Sequence, residues 1–162
     1  MKTDILWAPW RIKYILGKKS KGCIFCKAVK SKNDKKNMVL ERKKHCFVML
    51  NKYPYNNGHL MIIPYKHTGK IEDIDTDTLT EMMETVQEYV KKMKKIMKAE
   101  GFNIGINIGR IAGAGIDEHV HLHIVPRWSG DNNFMPVIGK IKVISESFDS
   151  VYEKLKKQDG KK

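Results

Sequence analysis

Three short apolar stretches follow one another between residues 38 and 64 and are separated by polar or turn-forming residues. They read VLERKK after Met38, CFVMLN from 46 to 51, and HLMIIP from 59 to 64. Short apolar runs bounded by turn-rich segments such as KYPYNNG are typical of strands. The pattern predicts three strands that form an antiparallel meander.

A helical period follows. From Thr78 to Lys98 apolar residues recur three and four positions apart, and lysines occupy the opposite face. This spacing predicts one long amphipathic helix, with Thr76 or Asp77 as its N-cap and a methionine-rich stripe that packs in the core. Around it we predict a loop over SKNDKKN (31–37), a strand over FNIGINIG (102–109), a strand over KIKVIS (140–145) and a short helix near 147–157.

The segment HVHLHIV, residues 119 to 125, sets three histidines at alternate positions. Successive side chains of a strand point to opposite faces, so His119, His121 and His123 are expected to share one face while the aliphatic residues between them pack on the other. Neutral imidazoles in such a row can bind a metal, act as general acid and base, or serve as a nucleophile. The spacing alone does not choose among these roles.

Composition narrows the class of protein. The chain has 162 residues, enough for one globular domain, and its formal charge of +13 comes from lysines far more than arginines. A basic balance suggests an anionic partner, but lysine-rich solvated faces with few arginines disfavour nucleic acid. Residues 1–20 lack the apolar region of a secretory signal, and no run approaches the roughly 18 apolar residues of a membrane span. We therefore expect a cytoplasmic protein, in which the pair in CIFC (Cys23 and Cys26) points to metal or redox chemistry.

The histidine row, the stretch from Asn51 through GHLMIIP, the turn PYKH and the CIFC motif together resemble the histidine triad superfamily of nucleotide hydrolases and transferases. The likeness covers residues 22–135, and AGAGIDEHVHLHIVPRWSG is most similar to its diadenosine tetraphosphate phosphorylase-like branch. It implies a single α+β domain over 1–162, with an antiparallel sheet of about five strands and one long helix packed on it. Residues 1–21 would be an N-terminal extension, and 136–162 a C-terminal strand, helix and tail.

The resemblance implies an enzyme that cleaves at the α-phosphate of an adenine nucleotide or dinucleoside polyphosphate. His121 would be the nucleophile that forms a covalent nucleotidyl-histidine, while His123 and His59 would donate hydrogen bonds to the nonbridging oxygens. Asn51 and Asn107 would hold the ribose and phosphate side.

The loop GRIAGAG, residues 109–115, is glycine-rich and directly precedes the histidine row. Its backbone N–H groups, at Gly113 and Gly115 among others, are candidates to bind polyphosphate oxygens. Arg110, Arg127 and Lys52 are the basic candidates for the distal phosphates.

The same resemblance implies a structural Zn²⁺ held by Cys23, Cys26, His67 and His119. Two thiolates and two imidazoles complete a closed tetrahedral site with no open position for water. Cys46 is expected to be a core residue and His45 a surface or turn residue. Family members pair through the long helix and its neighbouring strand, so the resemblance implies a homodimer.

One position departs from the hydrolase and phosphoramidase relatives, which have Ser or Thr three residues before the first triad histidine. This chain has Ile116 there, which disfavours the phosphoramidase reading. An acid for the leaving group would then be a histidine or Asp117, or would not be needed because a polyphosphate leaves readily. The acidic pair Asp117 and Glu118 is alternatively a candidate for support of His119. Two alternatives stay open: hydrolysis of phosphoramidates or dinucleotides by water, and a zinc-stabilised module that binds nucleotides without turnover.

Overall fold

The computed structural model describes residues 22–131 and 146–157. Five strands form one antiparallel sheet in the order β1-β2-β3-β5-β4. They are β1 (Val39–Arg42), β2 (Cys46–Leu50), β3 (Leu60–Pro64), β4 (Gly101–Ile106) and β5 (Leu122–Arg127); the helices are α1 (Ile24–Lys30), α2 (Asp34–Asn37), α3 (Thr76–Met97) and α4 (Phe148–Lys157), with a 3₁₀ turn at Ile71–Asp73. The predicted α+β class, the meander and the five-strand sheet are confirmed, whereas the strand predicted for 140–145 lies outside the described residues.

Both faces of the central strands are covered, so every residue of β2 and β3 is buried. On one face, alternate strand residues such as Val48 and Ile62 pack against the apolar stripe of α3 and against α4. On the other face, Phe47 and Met61 pack against Phe25 of α1. On this second face the Phe25 ring of α1 also contacts the rings of His119 and His121, which lie just before β5.

Helix α3 confirms the predicted core stripe, because Met82, Val86 and Met93 are buried. Its predicted N-cap is wrong: Asp75 caps the helix by accepting the Thr78 N–H at 2.8 Å, and it also accepts the Thr78 hydroxyl at 2.9 Å. A carboxylate satisfies the first free N–H groups better than threonine does. The helix therefore begins at Thr76.

Two local predictions differ from the structure. The segment 31–37 contains the one-turn helix α2, capped by Asn33, whose side chain accepts the Lys36 N–H. Strand β5 begins at Leu122, so His119 precedes it, because the neighbouring Val120 N–H bonds to the Thr68 carbonyl of a crossing loop and not to a strand. In the described residues no helix is long and apolar enough to cross a membrane.

Candidate active site and metal site

His121 lies directly before β5 with its ring buried against Phe25, at 5.0 Å between ring centroids. Its Nδ1 is 2.9 Å from the His119 carbonyl oxygen. A carbonyl only accepts, so Nδ1 carries the proton and Nε2 keeps the lone pair. Burial lowers the pKa of the ring, although the bond to the carbonyl opposes that effect. His121 is therefore a neutral imidazole whose Nε2 is suited to attack an electrophile.

His59, which lies directly before β3, and His123 on β5 form a hydrogen-bonded pair. The Tyr55 N–H donates to His59 Nδ1 at 3.0 Å, and His59 Nε2 lies 2.9 Å from His123 Nδ1. Since His59 Nδ1 accepts, its proton is on Nε2, which then donates to His123 and leaves the His123 proton on its own Nε2. His59 is only 1% exposed. It is thus placed behind His123 and does not line the cleft.

An open cleft lies over His121 and His123 on the α1 face of the sheet. Its lining combines apolar side chains with an amide, two phenols and two glycines, which suits a molecule with a flat apolar part and a polar part. The remaining lining residues are Ile24, Phe25, Asn51, Tyr53, Tyr55, Met61, Gly113, Gly115 and Ile116.

The structure places some of the predicted binding residues at the cleft and others away from it. Asn51 lines the cleft, with its side-chain oxygen accepting the Tyr53 N–H at 2.9 Å. Asn107 follows the end of β4 and is not among the lining residues. Gly113 and Gly115 do line the cleft.

The glycine-rich loop uses part of its backbone internally. The Gly113 N–H bonds to the Arg110 carbonyl, and the Ala114 N–H bonds to the Gly109 carbonyl. These two N–H groups are therefore already hydrogen-bonded within the loop, whereas the sequence analysis expected the N–H groups of this loop to be directed at a polyphosphate. The Arg110 side chain pairs with Asp117 at 2.7 Å, which closes the loop across its base.

The other basic candidates also have protein partners. The Arg127 guanidinium binds the Asp131 carboxylate through two nitrogens, with Nη2 at 2.7 Å from Oδ1. The Lys52 ammonium lies 3.4 Å from the Lys36 carbonyl. Neither residue lines the cleft.

The four predicted metal ligands converge, with their ligand atoms all within 4.8 Å of one another. The Cys23 and Cys26 sulfurs are 3.3 and 3.8 Å from His119 Nδ1, the Cys26 sulfur is 3.4 Å from His67 Nδ1, and the two Nδ1 atoms are 3.2 Å apart. A tetrahedral Zn²⁺ with bonds of about 2.0 Å to nitrogen and 2.3 Å to sulfur separates its ligand atoms by about 3.3 to 3.8 Å. The arrangement fits that geometry.

A hydrogen bond to the backbone orients the His119 ring of this cluster. His119 Nε2 donates to the Pro64 carbonyl at 2.9 Å, so Nδ1 is unprotonated and directed at the thiols. Burial lowers the pKa of His119 and raises the pKa of the Cys23 thiol. Neutral imidazole is the form that a metal binds, and a bound cation would offset the cost of ionising the thiol.

Helix α1 has Cys23 as its N-cap, contains Cys26 and the Phe25 ring that packs against His121, and is anchored at its far end by Arg42. The Arg42 guanidinium donates to three carbonyls at the end of α1 and to Asp34, at 2.7 to 3.2 Å. The helix is only seven residues long, so external partners matter for its stability.

Sequence reasoning missed the aromatic part of the site. Tyr53 and Tyr55 line the cleft, and the Tyr55 ring stacks on His59 at 4.9 Å. Two tyrosines in one polar turn segment are the signal that was available. The sequence analysis also missed the helix that begins within CIFC, because the seven residues of α1 are too few to show a helical period.

Comparison with known proteins agrees with this geometry. The sequence model of the HIT domain family matches residues 31–130 of this chain. The AP-4-A phosphorylase of Mycobacterium tuberculosis is 36% identical over 149 residues, which cover 87% of this chain and 76% of that protein. The adenosine 5'-monophosphoramidase of Saccharomyces cerevisiae is 35% identical over 105 residues, covering 65% of this chain and 62% of that one.

Solved structures give the same result. A zinc-bound histidine triad family protein from Mycobacterium smegmatis has a TM-score of 0.69 at 25% identity, over 84% of this chain and 91% of that one. A histidine triad nucleotide-binding protein from Sulfolobus tokodaii has a TM-score of 0.64 at 32% identity, over 83% and 87% of the two chains.

The fold and the histidine constellation define a nucleotide hydrolase or transferase of the histidine triad class. The chain belongs to the HIT family. The predicted family and the prediction that the chain is an enzyme are thereby confirmed.

Proposed function

We propose that the protein cleaves dinucleoside polyphosphates at the α-phosphate through a covalent nucleotidyl-His121. The observation that carries this proposal is the bond from His121 Nδ1 to the His119 carbonyl, which leaves Nε2 as the nucleophilic nitrogen in the cleft. The 36% identity to an AP-4-A phosphorylase supports diadenosine tetraphosphate as the substrate to test first.

In the first step, His121 Nε2 forms a bond to the α-phosphorus while the bond from that phosphorus to the bridging oxygen breaks. Diadenosine tetraphosphate then releases ATP, and AMP remains on the ring as a phosphoramidate. The ring becomes cationic, and the His119 carbonyl stabilises that charge through Nδ1–H. In the second step inorganic phosphate attacks the phosphorus and releases ADP, or water attacks and releases AMP.

His123 is the proposed donor to the nonbridging oxygens, because its proton is on Nε2 when Nδ1 accepts from His59. For His59 we propose a role through His123 in place of direct phosphate contact, since its ring is buried and bonded on both nitrogens. Asn51, Gly113 and Gly115 line the cleft and are proposed to bind substrate.

Two predicted binding residues stand further from this cleft. For Arg110 we propose contact with the distal phosphates, with Asp117 as the competing partner that a polyphosphate would displace. Asn107 remains a proposed ribose contact, although it is not among the lining residues.

Cys23, Cys26, His67 and His119 are proposed to hold a structural Zn²⁺. A closed set of four ligands leaves no position for substrate, so the ion would supply folding stability and no phosphate chemistry. Its consequence for the reaction is that His119, whose carbonyl orients His121, would be fixed in the segment that precedes β5. Thiolate ligands suit the reducing cytoplasm, which we propose as the compartment. The homodimer implied by the family also stays a proposal.

Phosphoramidate hydrolysis is the competing enzyme reading, supported by the 35% identity to a monophosphoramidase. An amine leaving group needs a proton that a polyphosphate does not need. Ile116 lines the cleft and carries no proton to donate. This residue favours the dinucleotide.

The test is product analysis of diadenosine tetraphosphate and of adenosine phosphoramidate, with and without inorganic phosphate. Phosphate-dependent ADP and ATP, absent for His121→Ala and retained for His45→Ala, would support a phosphorylase. The matched control His45 lies in the bend before β2, outside the cleft. AMP and ATP without phosphate would indicate a hydrolase, and binding without turnover would overturn the proposal in favour of a binding module.

A further inference from the structure

The loop between β2 and β3 passes over the His59–His123 pair and is fastened at Asn56. The Asn56 amide uses both of its hydrogens, one on Asp131 Oδ2 at 2.7 Å and one on the Pro126 carbonyl at 3.0 Å. These acceptors lie 70 or more residues away along the chain, at and beyond the end of β5. The side chain therefore ties the loop to the far end of the strand that carries His123.

The acceptor on that side is itself immobilised. The Asp131 carboxylate receives the Arg127 guanidinium on both oxygens and also the Trp128 N–H at 3.2 Å. The Arg127 guanidinium further donates to Asn103 on β4 at 3.0 Å. The Asp131 side chain is 10% exposed. Charge-assisted bonds of this kind are stronger than neutral ones, so Asn56 bonds to a group that is fixed to two strands.

The backbone at Tyr55 and Asn56 bonds to His59 and so fixes which nitrogen of its ring carries the proton. The Tyr55 N–H donates to His59 Nδ1, and the Asn56 carbonyl accepts the His59 N–H at 3.2 Å. Residues 55 to 59 thus close a small ring in which the Tyr55 N–H is aimed at His59 Nδ1, and the Asn51 side-chain amide nitrogen lies 3.4 Å from the same atom. A neutral imidazole has one proton, so a donor held at Nδ1 requires that proton to be on Nε2.

We propose that Asn56 is a positioning residue that keeps both His59 and His123 in the tautomer protonated on Nε2. It does so by holding the Tyr55 N–H against His59 Nδ1, with Asp131 as its anchor. The imidazole pair then transmits this order from the loop to the cleft, where His123 Nε2–H is the donor. Its consequence for catalysis rests on the proposed function, whereas the tautomers themselves do not.

Nuclear magnetic resonance of ¹⁵N-labelled histidine rings measures the tautomers directly, with each ring assigned by a single His→Gln variant. In the wild-type protein at neutral pH, we expect the Nε2-protonated form for His59 and His123 and the Nδ1-protonated form for His121. In Asn56→Ala, we expect His59 and His123 to lose that fixed pattern while His121 retains its own. Asn33→Ala is the matched control, since this asparagine caps helix α2 and should leave all three rings unchanged.

Circular dichroism and metal content of each variant separate a positioning effect from unfolding. A folded Asn56→Ala protein with wild-type tautomers would overturn the inference, and so would a wild-type protein whose His59 is protonated on Nδ1. The second outcome needs no variant, so a failure of Asn56→Ala to fold does not protect the inference.

Rates add a second measurement. With diadenosine tetraphosphate, Asn56→Ala should lower kcat by about 10- to 100-fold with a smaller change in KM, because a misoriented donor weakens the transition state more than binding. Equal losses in Asn56→Ala and Asn33→Ala would contradict the inference. Absence of turnover in the wild-type protein would instead refute the proposed function and leave the tautomer result to stand on its own.

Discussion

The histidines of the two sites use their ring nitrogens in different ways. His119 gives Nε2 to the Pro64 carbonyl and directs Nδ1 at the thiols, whereas His121 gives Nδ1 to a carbonyl and keeps Nε2 for the cleft. His59 and His123 are bonded to each other. The hydrogen-bond partner of each ring therefore decides which nitrogen is available. Four residues of one type acquire three roles in this way.

Ile116 gives a prediction about substrate choice. Ile116→Ser should raise the rate of adenosine phosphoramidate hydrolysis, by about 10- to 100-fold, because a hydroxyl at this position of the cleft can deliver a proton to the leaving amine. The rate with diadenosine tetraphosphate should change less. Ile116→Val is the control, and steady-state rates for both substrates are the measurement. Equal effects of Ser and Val on the phosphoramidate would refute a proton-donor role.

Asp131 gives a prediction about pH. Its bond to Arg127 lowers the carboxyl pKa from 3.8 to about 2. A group whose pKa is lowered by folding contributes stability above its unfolded pKa and loses it as the pH falls through the folded value. Above pH 4, the free energy of unfolding of the wild-type protein should therefore exceed that of Asp131→Asn by about 1–2 kcal/mol. This gap between the two free energies should shrink as the pH approaches 2.

Urea unfolding at a series of pH values measures that gap. The same comparison in an Arg127→Gln background provides the control, because metal loss at low pH is common to all four proteins. A gap that keeps its pH dependence without Arg127 would show that the ion pair is not its cause.

At the scale of single residues, alternation singled out His119, His121 and His123, because periodicity fixes which side chains share a face, and the CxxC motif indicated metal or redox chemistry. The role of each histidine and the addition of His67 to the ligand set came from the resemblance to the histidine triad superfamily, and the residues that support the site were not predicted. The Asn56–Asp131 contact spans 75 residues. No local pattern marks such a contact, since it exists only when the loop and the end of β5 are brought together.

Among the elements, the segment after β3 and the segment before β5 cross at close range. A Cβ added to Gly69 would clash with the Asp117 carbonyl oxygen, and the Val120 N–H bonds to the Thr68 carbonyl at 2.7 Å. His67 and His119 are brought together by this crossing. The metal cluster therefore depends on a glycine that contributes no ligand atom.

Gly69→Ala is expected to separate the two segments and to weaken zinc binding by at least 10-fold, since the clash is with backbone that cannot move away alone. Competition with a chromogenic chelator measures the affinity. Gly101→Ala is the matched control, because its Cβ would make an ordinary contact at 3.8 Å. Wild-type affinity in Gly69→Ala would mean that the crossing does not hold the ligands.

The same crossing explains why β5 is shorter than the alternation of HVHLHIV predicts. His119 is bonded through its ring to the Pro64 carbonyl, and the backbone beside it bonds to the loop, so these residues leave the strand ladder. The spacing of apolar residues correctly predicted a strand here and the long helix α3. It does not show where contacts with other segments replace the hydrogen bonds between strands and so end the strand.

At the scale of the whole molecule, β4 is an edge strand of the sheet that the described residues form, and its Ile104 is 44% exposed. Ile104 pairs with Ile124, so both lie on the face covered by α3. An exposed apolar edge strand is a surface that proteins usually cover. This agrees with the expected homodimer through the long helix and the neighbouring strand.

Ile104→Glu should therefore shift the protein to monomers, because two buried carboxylates would face each other across a twofold interface. Sedimentation velocity should give about twice the monomer mass of 18.8 kDa for wild type and the monomer mass for the variant. Ile111→Glu, at a fully exposed loop position, is the control and should remain a dimer. A monomeric wild type would refute the dimer.

The central claim for the molecule is that His121 carries the nucleotide between the two steps. Rapid acid-free denaturation during turnover of diadenosine tetraphosphate, followed by peptide mass spectrometry, tests it most directly. The account predicts one adenylyl group on His121, lost in His121→Ala. Turnover with no adduct, or with the adenylyl group on His123, would contradict it.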